Sequence, residues 1–303
     1  IRSYPIPIFT HPFLMSTFAF ISLSAHGNTF TYEYQFRIDS TKTDSLKKEF
    51  VNLDIFPTKS YFYGQAKFAS DSADNASIVQ QRKSTPDNYN INSSIQDWNI
   101  NYVIEKSYPD FRINWFTSVE DTNVDIEEKS EIKWEILTET AMIQDYKCQK
   151  AKAEFGGRTW EAWFSKDLPF PDGPYKFHGL PGLIVKLVDK TKSHQFLLKG
   201  NAKLKNENQS WEHILTLRKE AKNETKSVKV TTGQYKKLYL SYLNDPAKDI
   251  KQKLSSPNTR MEISFGDGRI IRDNAEIIKY YEVSLAEKYK RENNHLELTL
   301  HRK

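Results

Sequence analysis

Polar and apolar residues alternate without interruption early in the chain. Phe30, Tyr32, Tyr34, Phe36 and Ile38 share one parity, and Thr31, Glu33, Gln35 and Arg37 the other. A period of two sends every aromatic ring to one side of an extended chain, so this segment predicts a half-buried strand. Val51, Leu53 and Ile55, then Tyr61 and Tyr63, continue the parity. A short helical patch is expected from about Ser70 or Asp71, and the polar, turn-rich residues 84–97 predict a loop. Further strands are expected at 99–105, 111–119 and 131–137, the last with Ile132, Trp134 and Ile136 on one face.

The middle of the chain has the sharpest signals. Gly156 and Gly157 separate two alternating runs, 146–155 and 158–165, and paired glycines supply the positive φ that tight hairpin turns require. Residues 170–183 (FPDGPYKFHGLPGL) contain three prolines and three glycines, which predicts a constrained loop. Strands follow at 184–188 and 195–204. The spacing then turns helical at 232–244, 246–254 and 275–291, and residues 295–300 alternate like an edge strand. Strands first and helices later indicate an α+β fold: one or more β-rich, antiparallel, curved sheets with helices mainly in the C-terminal third. The division expected is a β-rich part at 28–205 and a helix-rich part at 206–303 within one domain spanning 28–303.

Residues 1–27 stand apart. Arg2 is their only formal charge, and 13–23 form an apolar run of signal-core length, too short for the roughly 20 residues that span a bilayer. With Ala25 and Gly27 as the small residues before the cut, the segment is expected to be a signal peptide cleaved after Gly27. The mature protein would then be periplasmic or secreted, with no membrane span.

Composition narrows the chemistry. Forty-four Lys and Arg against 39 Asp and Glu leave a charge of +5 over 303 residues, with both signs interspersed, which does not describe a nucleic-acid groove. Cys148 is the only cysteine, so no disulfide forms within the chain, and its place in an alternating run suggests a buried, inert thiol. No glycine-rich nucleotide fingerprint follows a strand, and no cofactor is expected. His178 and His194, with Asp189 or Asp172, are the only candidate metal ligands, at a spacing that matches no metal motif. The densest aromatic cluster, Trp160, Trp163, Phe164, Phe170, Tyr175 and Phe177, surrounds the constrained loop.

His178-Gly179-Leu180-Pro181-Gly182-Leu183-Ile184 contains GLPGLI, preceded by Trp163-Phe164 and by Asp172-Gly173-Pro174-Tyr175-Lys176-Phe177. In this the chain resembles the GLPGLI family of secreted Bacteroidetes proteins. The resemblance extends to the first aromatic strand, to 102–111, to 134–148, to Tyr235-Lys236-Lys237-Leu238 and to 293–298, where Asn294-His295 departs from the expected Asn-Pro-Ile ending. The family has no established activity, so the resemblance implies a compartment and a lineage rather than a reaction.

Two readings of the loop remain open. It is a structural turn, or it is a binding loop in which Trp163, Asp172, Tyr175, Phe177, His178, Gly179, Pro181 and Gly182 border an apolar groove. The function expected first is an exported binding protein for an apolar or peptide ligand. The alternatives are a hydrolase, including a metal-dependent peptidase, and an interaction partner of an outer-membrane transport system that uses the 295–300 edge.

Overall fold

The computed structural model describes residues 27–42, 46–84, 99–120, 122–129, 131–204, 210–220, 227–257 and 259–302. Nearly all of the expected signal segment and of the expected 84–97 loop lies outside these residues. The first strand, β1 (Asn28–Phe36), buries Phe30, Tyr32, Tyr34 and Phe36 as its parity requires. Its neighbours in sequence are β2 (Lys47–Ile55) and β3 (Lys59–Gly64). Helix α1 (Gln65–Ser84) begins five residues before the predicted Ser70 start and is followed by β4 (Val103–Ser107) and β5 (Arg112–Val119).

Strand β6 (Thr122–Lys129) was not legible, because only Val124 and Ile126 mark its buried face. Strand β7 (Glu135–Ile143) starts later than predicted. Trp134 donates its indole N–H to the His178 carbonyl at 2.8 Å instead of joining the ladder, and Ile136 is 47% exposed, so Ile132, Trp134 and Ile136 do not share a face. The hairpin of β8 (Tyr146–Phe155) and β9 (Arg158–Ser165) turns through Gly156 and Gly157, at φ 62° and 81°. After the constrained loop come β10 (Leu183–Asp189) and β11 (His194–Lys203), then α2 (Trp211–Glu220) and β12 (Val228–Val230).

The C-terminal part holds α3 (Thr232–Asn244), α4 (Lys248–Leu254), the short pair β13 (Ile263–Ser264) and β14 (Ile270–Ile271), α5 (Asn274–Arg291) and α6 (Leu298–His301). Helix α3 opens on a capping box in which Thr231 and Gln234 satisfy each other's backbone N–H groups. The predicted edge strand at 295–300 is absent. Leu296 and Leu300, four residues apart, are both buried, and the backbone N–H of Leu298 donates to the Gly156 carbonyl at 2.7 Å, so the segment docks on the hairpin turn and ends as a helix. A transport partner that pairs with a free edge there has no edge to pair with.

Among the described residues, twelve strands form one sheet in the order β12-β6-β5-β4-β3-β2-β1-β11-β10-β9-β8-β7, antiparallel except for β12 against β6. The sheet does not close into a barrel, and among the described residues strand exceeds helix, 41% to 28%. Register aligns the inward face across strands: Tyr34 opposes Phe196, Leu53 opposes Phe62, and Ile104 lies between Phe62 and Trp115. The constrained loop, α3 and the C-terminal segment cover this face. The other face packs Tyr61, Tyr63 and Val103 against Trp211 and Ile214 of α2, with Phe68 of α1 alongside. Among the described residues, no helix is long and apolar enough to cross a membrane.

Gly182 joins the loop to β10 at φ 151°, where a β-carbon would overlap the Ser165 carbonyl oxygen. Gly182→Ala should therefore cost roughly 1–3 kcal/mol from backbone conformation alone. Urea denaturation measures this, and wild-type stability in the variant would show that the backbone relaxes freely.

Candidate functional site

The constrained loop lies on the inward face of the sheet, fastened by charges that its sequence carries at Asp172 and Lys176. Asp172 is 1% exposed and accepts from four donors. Ser60 Oγ reaches it at 2.7 Å and the backbone N–H of Gly173 at 2.7 Å, while Lys106 Nζ and the Tyr108 hydroxyl complete the set. Lys106 is itself fully buried and also donates to the Gly173 carbonyl at 2.7 Å. Burial pushes the Lys106 ammonium below the usual lysine range, and the Asp172 carboxylate opposes that shift. Ser60 and Lys106 are cross-strand partners on β3 and β4, so one ladder position presents both to the loop.

Lys176 repeats the arrangement. Its Nζ lies 2.6 Å from Glu297 and 2.7 Å from Glu128, as ion pairs without aligned hydrogen bonds, and 4.3 Å from the centre of the Trp115 ring. A third buried cation, Arg158, pairs with Asp189 at 3.0 Å and reaches Asn294 and the His295 carbonyl at 2.6 and 2.7 Å. It thereby ties the hairpin to the C-terminal segment.

The predicted site residues divide accordingly. Phe177 is core, in edge contact with Phe155 and Trp160. Tyr175 is 3% exposed, has φ 55° and donates to Glu297 at 2.6 Å. His178 is 7% exposed, stacks on Phe111 at 4.4 Å and approaches the Lys176 carbonyl through Nδ1 at 2.8 Å. Burial holds its pKa below the ordinary histidine value. Gly179 and Pro181 are exposed at the tip, whereas Gly182 is buried. Trp163 is half-buried, donating to Glu161 at 3.0 Å on the parity opposite to the buried Trp160 and Phe164.

The two histidines occupy different surroundings. His194 approaches the Tyr34 hydroxyl through Nδ1 at 2.7 Å and lies against Trp160, whereas His178 lies against Phe111. Asp189 is taken up by Arg158, Thr191 and the His194 backbone N–H. Among the described residues, no three His, Cys, Asp or Glu side chains converge to hold a metal ion. Cys148 is buried, and burial raises its thiol to about 11, which disfavours the nucleophilic thiolate.

Beside the loop opens a groove of about 450 Å³, lined by Asn28, Ile55, Phe56, Pro57, Tyr108, Pro109, Phe111, Phe170 and Pro171. None of the predicted binding residues lines it directly. They stand behind its wall: Asp172 holds Tyr108, and His178 backs Phe111. Sequence reasoning placed Phe170 in the aromatic cluster but missed Tyr108 and Phe111, which come from a turn far upstream of the constrained loop. Their YPDF stretch is a turn signal, but nothing local says which loop it faces.

Residues 155–186 match the family model described as "Protein of unknown function (Porph_ging)", typified by the GLPGLI motif. The match takes in the whole GLPGLI segment, Gly179 to Ile184. The match runs from the last residue of β8 through the hairpin turn, β9 and the constrained loop into β10, so it includes Asp172 and Lys176 but not their partners Lys106, Glu128 and Glu297. No curated protein matches the chain. Among solved structures, "Structure of PNGF-II in C2 space group" and "Structure of PNGF-II in P21 space group" are similar at 15% identity, with TM-scores of 0.46 and 0.45. The similarity covers 70% of this chain but only 32% and 33% of theirs, so the chain spans about a third of their length. At these scores the likeness is loose, and nothing about function follows from it.

Lys106→Met leaves Asp172 buried without its counter-ion and should destabilise the fold by about 3–5 kcal/mol. Adding Asp172→Asn should recover part of the loss, because the uncompensated charge is then gone. Equal stability of Lys106→Met and wild type in urea titrations would refute a structural role for the pair.

Proposed function

We propose that this chain is an exported, β-rich binding protein that holds an apolar ligand, of acyl-chain chemistry, in the groove beside the constrained loop. The observation that carries this reading is the groove itself. Its volume lies within the range of small-molecule pockets. Its wall is made of Ile, Phe and Pro side chains, with Asn28 and the Tyr108 hydroxyl as its only side-chain polar groups. The Tyr108 hydroxyl is already engaged with Asp172. A ligand that needs hydrogen bonds gains little there, and one that sheds apolar surface from water gains about 25 cal/mol per Å².

The walls are also held in place before any ligand arrives. Phe170 and Pro171 lead directly into Asp172, and Phe111 stacks on His178, so both sides of the groove rest on the buried loop. Preorganised walls reduce the ordering cost of binding. In this reading the motif supports the site from behind, and the contacts come from residues on either side of it.

Export supports the same reading only through the N-terminal sequence, with its uncharged apolar run and small residues at Ala25 and Gly27. N-terminal sequencing of the protein recovered from the periplasm or medium should begin near Asn28. Recovery of the uncleaved chain from the cytosol alone would end the export proposal.

For binding, lauric acid should displace 1-anilinonaphthalene-8-sulfonate from the purified protein. Phe111→Ala and Phe170→Ala should each weaken that displacement about tenfold or more, the effect of losing one buried aromatic contact. Undiminished displacement in both variants, with melting temperatures showing that they fold, would place the ligand elsewhere.

A further inference from the structure

The C-terminal segment is fastened to α3 by two histidines and two tyrosines. The His295 and His301 rings stack on each other with centres 4.0 Å apart and planes 18° from parallel. Tyr239 meets both rings edge-on, and its hydroxyl lies 3.1 Å from His295 Nε2. The Tyr235 hydroxyl lies 3.1 Å from His301 Nε2. His301 Nδ1 donates to the Glu297 carbonyl at 2.8 Å, since a carbonyl can only accept. In the neutral ring Nε2 is then the acceptor, and Tyr235 donates to it. Both rings are half-buried on the wall of a cavity of about 780 Å³ between the sheet, α3 and the segment, so protons reach them from solvent.

The groups around the pair favour uncharged rings. Burial holds His295 below the ordinary histidine value, and His301, His194 of β11 and Arg158 of β9 push the same way. Burial lowers His301 too; Lys176 of the constrained loop adds to the shift and Glu297 opposes it. Glu297 is already paired with Lys176 and Tyr175. From α3 comes Lys236, which donates to the Thr299 carbonyl at 2.8 Å. From α5, Tyr289 touches Tyr239 edge-on and donates to Glu120, while the Glu292 backbone favours a charged His295. Protonating both rings would set two cations 4.0 Å apart in the field of Arg158 and Lys176.

Release of the segment would orphan neither buried cation beneath it. Lys176 keeps Glu128 at 2.7 Å, and Arg158 keeps Asp189 at 3.0 Å. Asn294, just ahead of the segment, is pinned independently. Its backbone N–H donates to the Ile38 carbonyl at 3.0 Å, its side-chain amide donates to the Arg37 carbonyl at 2.8 Å, and its Oδ1 accepts from Arg158 at 2.6 Å. The buried apolar side chains that release would uncover on the segment are Leu296 and Leu300.

We propose that residues 295–301 form an acid-released strap hinged at Asn294, which leaves α3 and the hairpin turn when both stacked histidines are protonated and so opens the cavity it covers. An undocked histidine ionises near the ordinary value of 6.5 and a docked one lower. Docking is therefore fully stabilised above that pH and weakens as pH falls, by up to about tenfold per pH unit for each histidine. The proposal is independent of what occupies the apolar groove.

Hydrogen–deuterium exchange of the full chain, read by mass spectrometry and corrected for the intrinsic pH dependence of exchange, tests it. As pH falls from about 6.5 to about 4.5, the peptide spanning 295–301 should lose protection by more than about tenfold per unit, the signature of two protons, while peptides from β1 and β11 stay protected. The double variant His295→Gln, His301→Gln takes up neither proton and should give a flat profile. Protection retained by the wild-type terminal peptide, loss in step with β1 and β11, or an unchanged slope in the folded double variant would each overturn the proposal. If the double variant does not fold, the ring-proton resonances of wild-type His295 and His301 decide. Both rings charging as the terminal peptide opens supports release; both charging while it stays protected, or opening with the rings uncharged, overturns it.

Discussion

A lysine and an aspartate with no exposed surface, Lys106 and Asp172, set the depth and orientation of the loop against the sheet. Removing two such charges from water costs several kcal/mol per ion, and their mutual attraction offsets this only where the remaining lone pairs and protons find partners. Asp172 meets that condition with Ser60, Tyr108 and its neighbouring backbone N–H, and Lys106 does so with the Gly173 carbonyl. The pair is consequently stable in one geometry only. A loop displaced by a residue in either direction would leave both charges buried and unmatched.

Two further buried cations extend the same logic across the inward face. Lys176 joins the loop to β6 through Glu128 and to the chain terminus through Glu297, and Arg158 joins the hairpin to β10 and to Asn294. Apolar packing alone would hold these segments on the sheet with little preference for register. Charged pairs at fixed positions supply that preference, which is the best-attested use of buried polar groups. The constrained loop thus acts as a clasp between the two halves of a wide sheet, with Asp172 fastened to β4 and Lys176 to β6 and the C-terminal segment.

How much of this was legible in the sequence depends on how far apart the interacting residues lie. Strand β1, the glycine hairpin and α3 were readable because their signals are local: a parity, a pair of positive-φ residues, a helical spacing. The loop was readable as constrained. Its partners were not, since Lys106 reads as an ordinary surface lysine until its parity is compared with Ile104, two residues before it on the same face. The terminal segment misled for a related reason. Leu296, Leu298 and Leu300 alternate as a strand would, but Leu296 and Leu300 also satisfy a spacing of four, and the docking of Leu298 on the Gly156 carbonyl decided between the two. Short amphipathic runs carry both periods, and only tertiary contact separates them.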